Sequence, residues 1–259
     1  MAPFLNQPTI NSDRVNFMFR VLPSIRLRRA PAHILAAILL IGALFAGRPA
    51  AAANLEGVWQ LATPQLSLVP ADGKAIPFIA AGREAYDENR KAAAAGDFSF
   101  DATETGCSSP GLPRMMLTPM PMKIFQDSRM VSVLFQWNHL MRQIELVRPA
   151  TQDLDVPTMM GRSFGHWDGD TLVVESNNFL PQKLLDDLIP SSEDLVLTEY
   201  LRLRDHDTLE DRIQIVDPQM FTRKWETVIL YKRASDDLFP FREDVCLDRL
   251  KAGQLPLSR

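Results

Sequence analysis

An Asp-Gly dipeptide between two segments of strand character constrains the fold of this chain more than any other feature. Asp168-Gly169 separates residues 162 to 167 from residues 171 to 177, and both flanking segments have strand character. Two residues that tolerate positive φ between such segments are a strong signal for a tight β-hairpin. The sequence therefore predicts an antiparallel β-meander.

Strand periodicity extends over most of the chain beyond residue 121. The predicted strands cover residues 54–61, 122–127, 130–138, 141–147, 162–167, 171–177, 195–204, 208–216 and 224–232. Such a meander removes its exposed edges most completely by closing on itself. We therefore expect an all-β protein, an antiparallel lipocalin-like barrel of about 8 to 10 strands, with a two-sheet sandwich as the alternative.

Two segments outside these strands are predicted as peripheral helices. Residues 78 to 95 combine charged side chains with four successive alanines before Gly96, and residues 181 to 189 are rich in Leu and Asp. Helix formers followed by a glycine indicate a helix and its end. Residues 96 to 121 contain four prolines, so this stretch is predicted as a Pro-rich loop.

The first 53 residues have the pattern of a secretory signal peptide. Five arginines between residues 14 and 29 precede a nearly continuous apolar stretch from 34 to 46, and four alanines end at Ala53. We expect cleavage near Ala53 and a periplasmic or secreted protein. The apolar stretch is shorter than the ~20 residues of a spanning helix, so no stable membrane insertion is expected after cleavage, with an uncleaved anchor as the alternative. Residues 54 to 259 then form one domain.

The hairpin region also carries a family resemblance. Residues 165 to 175 read Gly-His-Trp-Asp-Gly-Asp-Thr-Leu-Val-Val-Glu. This resembles the signature of a large, mostly uncharacterised family of exported bacterial all-β proteins of the lipocalin or calycin type. Ser191 departs from the family, whose members usually have a His at this position. Further segments that fit the family in the same order are 107–116, 135–139 with Arg142, 197–199, Asp217-Pro218 and Trp225. The resemblance implies a fold more readily than a function.

Cysteine content and charge limit the possible chemistry. Cys107 and Cys246 are the only cysteines, and in an oxidising compartment they most simply form one disulfide. The alternative, a cysteine nucleophile, needs a low-pKa environment that neither neighbourhood indicates. The formal net charge of −4 is spread without a basic block after the N-terminal segment. We therefore expect no nucleic-acid partner.

Three polar residues are predicted among the apolar positions of the strands. His139 follows the phase of Phe135 and Trp137, and Arg142 alternates with apolar residues on the returning strand. Glu199 shares its phase with leucines, so its carboxylate needs a partner, with Arg142 or Arg162 as the candidates. A structural reading, in which His139 binds backbone and the ion pair fixes strand register, stays open beside acid–base chemistry.

Two functions fit these residues. The first is a barrel that binds a small, largely apolar or aromatic molecule through residues Phe135, Trp137, Arg162, His166, Glu175 and Trp225, with the polar contacts His139, Arg142 and Glu199. The second is an enzyme of the lyase, isomerase or hydratase type in which His139, Arg142 and Glu199 perform acid–base chemistry. The sequence leaves open whether the protein is catalytic, and it leaves the oligomeric state open.

No cofactor and no metal ion are expected. The sequence contains no Gly-rich phosphate loop, no Cys-x-x-Cys pair and no His-x-x-x-His spacing, and metal sites usually show part of their ligand set as a spacing motif. A site made from His139, His166 and Glu199 would draw on three separate strands without such a motif.

Overall fold

Nine strands form a closed barrel in the computed structural model, which describes residues 52–65, 67–147, 156–181 and 184–257. The segment predicted as a signal peptide, or alternatively as an uncleaved anchor, lies outside the described residues up to residue 51. The all-β barrel is thereby confirmed, and the sandwich is not. The strands are β1 Gly57–Leu61, β2 Met122–Gln126, β3 Met130–Phe135, β4 Met141–Glu145, β5 Arg162–Asp168, β6 Thr171–Asn177, β7 Val196–Asp205, β8 Thr208–Val216 and β9 Trp225–Arg233.

One pair of strands breaks the antiparallel order. Strands β4 and β5 run parallel, and the other neighbouring pairs are antiparallel. A closed barrel with an odd number of strands cannot alternate direction all the way round, so at least one pair must be parallel. The connection from Glu145 to Arg162 is long enough to return the chain to the end where β4 began. The prediction of an antiparallel meander is therefore wrong at this pair alone.

The barrel closes where β1 pairs with β9. Trp59 lies opposite Arg233, whose guanidinium carbon is 4.2 Å from the Trp59 ring centroid. The Trp59 indole N–H donates to the Leu55 carbonyl at 3.0 Å. Gly57 has a φ of +143°, and a Cβ at this position would come within 2.2 Å of the Arg233 guanidinium. The positive φ favours glycine at position 57, next to the Trp–Arg contact at the closure.

Three helices lie outside the barrel strands in the described ranges. Helix α1, Ala80–Ala94, lies inside the segment predicted as helical, and the predicted Pro-rich loop contains α2, Ala102–Gly106, while α3 is Cys246–Lys251. None of the described helices has the length and apolarity to cross a membrane. The disulfide Cys107–Cys246 joins the end of α2 to the start of α3, with an S–S distance of 2.05 Å.

A buried arginine orders the loop that was predicted from its prolines. The 3₁₀ turn Arg114–Leu117 begins with Arg114, whose Nη1 and Nη2 donate to the Asp101 carboxylate at 2.9 and 2.6 Å. Asp187 accepts a further bond from Arg114 Nη2 at 3.1 Å. Asp101 also accepts from the Thr103 backbone N–H at 3.0 Å at the start of α2. Because Arg114 binds both Asp101 and Asp187, it ties this loop to the segment after β6.

The prediction of a helix over residues 181 to 189 is wrong. The part of this segment that the structure describes, residues 181 and 184 to 189, is not helical. The chain bends there around the buried Asp186, whose carboxylate accepts backbone N–H groups of Leu68, Leu188 and Ile189 at 2.9, 2.8 and 2.8 Å. Burial raises the pKa of the Asp186 carboxyl, and these hydrogen bonds lower it by less. A side chain that captures local backbone donors competes with helical hydrogen bonding, and Asp186 does so here.

Candidate functional site

A buried ion pair links β4 to β7 inside the barrel. Arg142 is 3% exposed and Glu199 is 1% exposed. Arg142 Nη1 donates to Glu199 Oε1 at 2.8 Å, and Nη2 donates to Oε2. Of the two candidate partners for Glu199, the structure thus pairs it with Arg142, while Arg162 lies 3.5 Å from Glu145.

Two serines accept further hydrogen bonds from this guanidinium. Arg142 Nε and Nη2 donate to Ser163 Oγ at 3.3 and 3.2 Å, and Nη2 also donates to Ser176 Oγ at 3.0 Å. The two hydroxyls are 2.8 Å apart and share a hydrogen bond. Burial lowers the pKa of Arg142, but Glu199, with smaller contributions from Asp211 and Tyr231, outweighs burial and leaves the pKa raised. Each nitrogen of the arginine head group therefore has a partner within the protein.

A second carboxyl group, Asp211 on β8, lies beside this pair. It is fully buried, and neither of its oxygens accepts a hydrogen bond from any donor in the described parts of the chain. Burial raises the pKa of Asp211 well above its ordinary value, the Glu199 carboxylate raises it further, and Arg142 opposes them. Glu199 is a diagonal neighbour of Asp211 across the β7–β8 pair, so it is the carboxylate to which a protonated Asp211 can donate.

Sequence reasoning missed Asp211, although the signal for it was present. Asp211 shares the inner face of β8 with the buried Leu209, Ile213 and Ile215. This is the same argument from alternation that selected Glu199 among the leucines of β7. Applied to every strand, it would have found Asp211 as well.

Strand β9 adds two more polar side chains to the inner face. Thr227 is fully buried and Trp225 is 3% exposed, yet the Thr227 hydroxyl and the Trp225 indole N–H have no hydrogen-bond partner among the described residues. Ile213 pairs with Thr227 and Ile229 pairs with Asp211, so Thr227 and Asp211 are diagonal neighbours. Cross-strand diagonal neighbours are about 7 to 8 Å apart, within reach of a shared group.

Tyr231 bounds the polar cluster on its other side. Its hydroxyl donates to the Met116 carbonyl at 2.8 Å. Burial raises the pKa of Tyr231 well above its ordinary value, with further contributions from Asp211 and Glu199. The Tyr231 hydroxyl is therefore neutral, and its hydrogen is already donated to the Met116 carbonyl. We call Arg142, Ser163, Ser176, Glu199, Asp211, Thr227 and Tyr231 the interior polar cluster.

A cavity in the barrel wall reaches this cluster. It has a volume of about 240 Å³ between β4 and β5, and its lining includes Arg142 and Ser163 of the cluster together with Met141, Met160 and Arg162. Only two residue pairs hold these two strands in register. Met141 is 52% exposed whereas Arg142 is buried, so the cavity connects the protein surface with the cluster.

His139 does not lie on the interior side. Strand β3 ends at Phe135, and His139 belongs to the 3₁₀ turn Trp137–His139, in which Asn138 and His139 have φ values of 49° and 47°. The alternation that placed His139 in phase with Phe135 therefore stops before it. The His139 ring is exposed, and its Nε2 lies 2.9 Å from the Arg242 carbonyl. The prediction that His139 faces the interior is wrong.

The other predicted contact residues divide between the two faces of the barrel wall. Phe135, Trp137 and Trp225 are buried. The Trp137 indole N–H donates to the Pro256 carbonyl at 2.8 Å. His166 and Glu175 are exposed, on the outer faces of β5 and β6. The half-buried Arg162 lies over the Phe164 ring, 4.8 Å from its centroid.

No set of three metal-ligating side chains converges anywhere in the described ranges. The three residues considered for a metal site are dispersed: His139 and His166 are exposed, and Glu199 is occupied by Arg142.

Comparisons with known proteins add little to this geometry. No family model matches the chain, and no curated protein matches it. Among solved structures, the chain is similar to a mutant of the fluorescent protein UnaG, with 14% identity, a TM-score of 0.31, and coverage of 70% of this chain and 96% of that chain. A likeness at this level carries no argument about function, and the family resemblance stays a prediction.

Proposed function

We propose that this protein is exported and that the interior of its barrel binds a small, largely apolar molecule. One observation carries the proposal. Neither oxygen of the buried Asp211 accepts a hydrogen bond from a described residue, and the buried Thr227 hydroxyl and Trp225 indole N–H have no partner there. An unpaired buried polar group costs about 1 to 3 kcal/mol, and folded proteins contain few of them. A bound molecule that supplies the missing partners removes this cost.

The surroundings of these atoms favour an apolar ligand body. Leu209, Ile213, Ile215 and Ile229 are fully buried on the same inner faces of β8 and β9. Pockets for small molecules combine apolar walls with a few polar groups that fix orientation, and barrels of about eight strands hold one small ligand. The cavity between β4 and β5 is lined by Arg142 and Ser163, which belong to the same polar cluster as Asp211 and Thr227.

The disulfide supports the export part of the proposal. Cys107 and Cys246 are bonded to each other, and disulfides persist mainly in secreted and periplasmic proteins. The N-terminal arginines followed by an apolar stretch support the same compartment.

The geometry favours binding over the acid–base enzyme. Such an enzyme would need His139 and Glu199 to act on one shared space. His139 is exposed and contacts the Arg242 carbonyl, whereas Glu199 is buried and bonded to Arg142. Phe135, Trp137 and Trp225 remain the proposed apolar contacts, and all three are buried.

Native mass spectrometry of the protein recovered from a periplasmic extract tests the proposal. We expect the folded protein to carry a small-molecule adduct that is lost on denaturation. The double variant Asp211→Leu/Thr227→Val removes the unpaired groups and should lose the adduct, whereas His139→Ala changes an exposed residue and should keep it. Folded parent protein without any adduct, which also fails to bind the neutral fluorophore 1-N-phenylnaphthylamine, would contradict the proposal.

A further inference from the structure

We infer that the interior polar cluster recognises a neutral hydroxyl group, so that the bound molecule is an apolar alcohol rather than a carboxylate or an amine. This inference rests on the proposed function and names the ligand class of the same site. It follows from which donors and acceptors of the cluster are already used and which are left.

The cluster has no free cation for an anionic ligand. The guanidinium of Arg142 is the cationic group of the cluster, and its three nitrogens donate to Glu199, Ser163 and Ser176. A carboxylate would have to displace Glu199 or lie next to it. Displacing Glu199 would leave a buried carboxylate without its partner, which is strongly unfavourable. A ligand with a carboxylate head group is therefore rejected.

The groups that remain need a partner that both donates and accepts. With its proton directed to Glu199, Asp211 keeps one carbonyl oxygen that can only accept. Thr227 has a hydroxyl that donates or accepts, and Trp225 has an indole N–H that can only donate. A hydroxyl placed between Asp211 and Thr227 donates to the first and accepts from the second. An ammonium group cannot accept a hydrogen bond from Trp225 or Thr227, and a carboxylate cannot donate one to Asp211.

The charges that face Asp211 also favour a neutral head group. They are the Glu199 carboxylate from β7, the Arg142 guanidinium from β4 and the neutral Tyr231 hydroxyl from β9. Glu210, the neighbour of Asp211 on β8, is held by Arg202 at 2.9 Å and by Arg204. With Asp211 protonated, Arg142 and Glu199 balance each other. An added ammonium or carboxylate would leave an excess charge in a buried site.

Three probes that differ only in their head group test the inference: 1-octanol, octylammonium and octanoate. Each probe is titrated at neutral pH into protein with the Cys107–Cys246 disulfide intact. Its affinity is measured from displacement of 1-N-phenylnaphthylamine. We expect 1-octanol to bind about tenfold or more tightly than the other two, because one hydrogen bond at a buried site is worth about that factor.

Conservative variants separate hydrogen bonding from shape. Thr227→Val keeps the volume of the side chain but removes the hydroxyl, so it should weaken 1-octanol about tenfold. The control Thr198→Val makes the same change on the outer face of β7 and should leave binding unchanged. Asp211→Asn mimics the protonated carboxyl, since its amide donates to Glu199 and its carbonyl accepts, and it should retain binding. Asp211→Leu should lose it.

Two results would overturn the inference. The first is octanoate or octylammonium that binds as tightly as 1-octanol. The second is loss of 1-octanol binding in a folded Asp211→Asn variant, because the site would then need an ionised carboxylate. Either result leaves the proposed function intact as long as the fluorophore is displaced. If neither the fluorophore nor any of the three probes binds, the proposed function itself fails.

Discussion

Arg142 and Glu199 bind each other across strands that are not neighbours in the barrel. Arg142 lies on β4 and Glu199 on β7, and the 2.8 Å bond from Nη1 to Oε1 spans the inner side of β5 and β6. Those two strands contribute Ser163 and Ser176, which accept hydrogen bonds from the same guanidinium. The ion pair therefore fixes four consecutive strands relative to one another, including the weakly paired β4 and β5.

Breaking this ion pair should destabilise the barrel, and by different amounts from its two ends. Arg142→Leu leaves the Glu199 carboxylate buried beside Asp211, so we expect a loss of about 3 to 5 kcal/mol in the free energy of unfolding. Glu199→Leu should cost less, because Asp211 can ionise and take over as the partner of Arg142. Urea denaturation at neutral pH measures both losses.

The double variant Arg142→Leu/Glu199→Leu is the control for this comparison. It removes both charges, so it should be more stable than Arg142→Leu alone. Equal stability of the two single variants would mean that Asp211 does not compensate for the loss of Glu199.

Asp211 should make the protein less stable as the pH rises. Its pKa is raised in the folded state well above the ordinary 3.8. Between these two values the folded protein holds a proton that the unfolded chain has released, so the free energy of unfolding falls with pH by about 1.4 kcal/mol per unit. Asp211→Asn lacks this proton. Its stability relative to the parent should therefore increase with pH above 3.8 in denaturation curves, and parallel pH profiles would contradict the raised pKa.

Most of the barrel could be predicted from the sequence because its strands are governed by local patterns. The boundaries of β6 and β8 agree with those predicted from the sequence. The two-residue turn that joins β5 to β6 is Gly169-Asp170, one position later than predicted, because Asp168 belongs to β5 and pairs with Thr171. The parallel pairing of β4 with β5 has no local signal. It follows from closing an odd number of strands into a ring, a property of the whole barrel.

The site was only partly predictable, for two separate physical reasons. The partnership of Arg142 with Glu199 follows from the cost of burying a charge alone, so the sequence pointed to it. His139 was misplaced because the residues after Phe135 leave the strand through positive φ values, which composition does not indicate. The hydrogen-bonding state of Asp211 and Thr227 depends on which groups the other strands present to them, and it is visible only in three dimensions.

Removing the disulfide should lower stability substantially. Cys107 and Cys246 are 139 residues apart in the chain, and in the chain-entropy model a closed loop of this length stabilises the folded state by about 5 kcal/mol. The double variant Cys107→Ser/Cys246→Ser should lose close to this amount in urea denaturation, and reduced parent protein should behave in the same way. Peptide mapping without reductant should give one linked pair. Labelling of both thiols in the native protein would contradict the bond.

Two glycines with the same positive φ should respond very differently to substitution by alanine. Gly161 and Gly169 both have a φ of +64°, but a Cβ at position 161 would lie 2.4 Å from the Phe179 ring and 2.6 Å from the Asn177 carbonyl, whereas nothing lies within 4 Å at position 169. Gly169→Ala should therefore cost only the backbone strain of about 1 to 2 kcal/mol. Gly161→Ala carries the same strain and must also displace the buried Phe179, so its melting temperature should fall further.

Since Gly161 lies at the start of β5 and lines the cavity in the barrel wall, Gly161→Ala should also change the affinity for 1-N-phenylnaphthylamine, and Gly169→Ala should not. Equal melting temperatures for the two variants would mean that Phe179 is free to move away from this position.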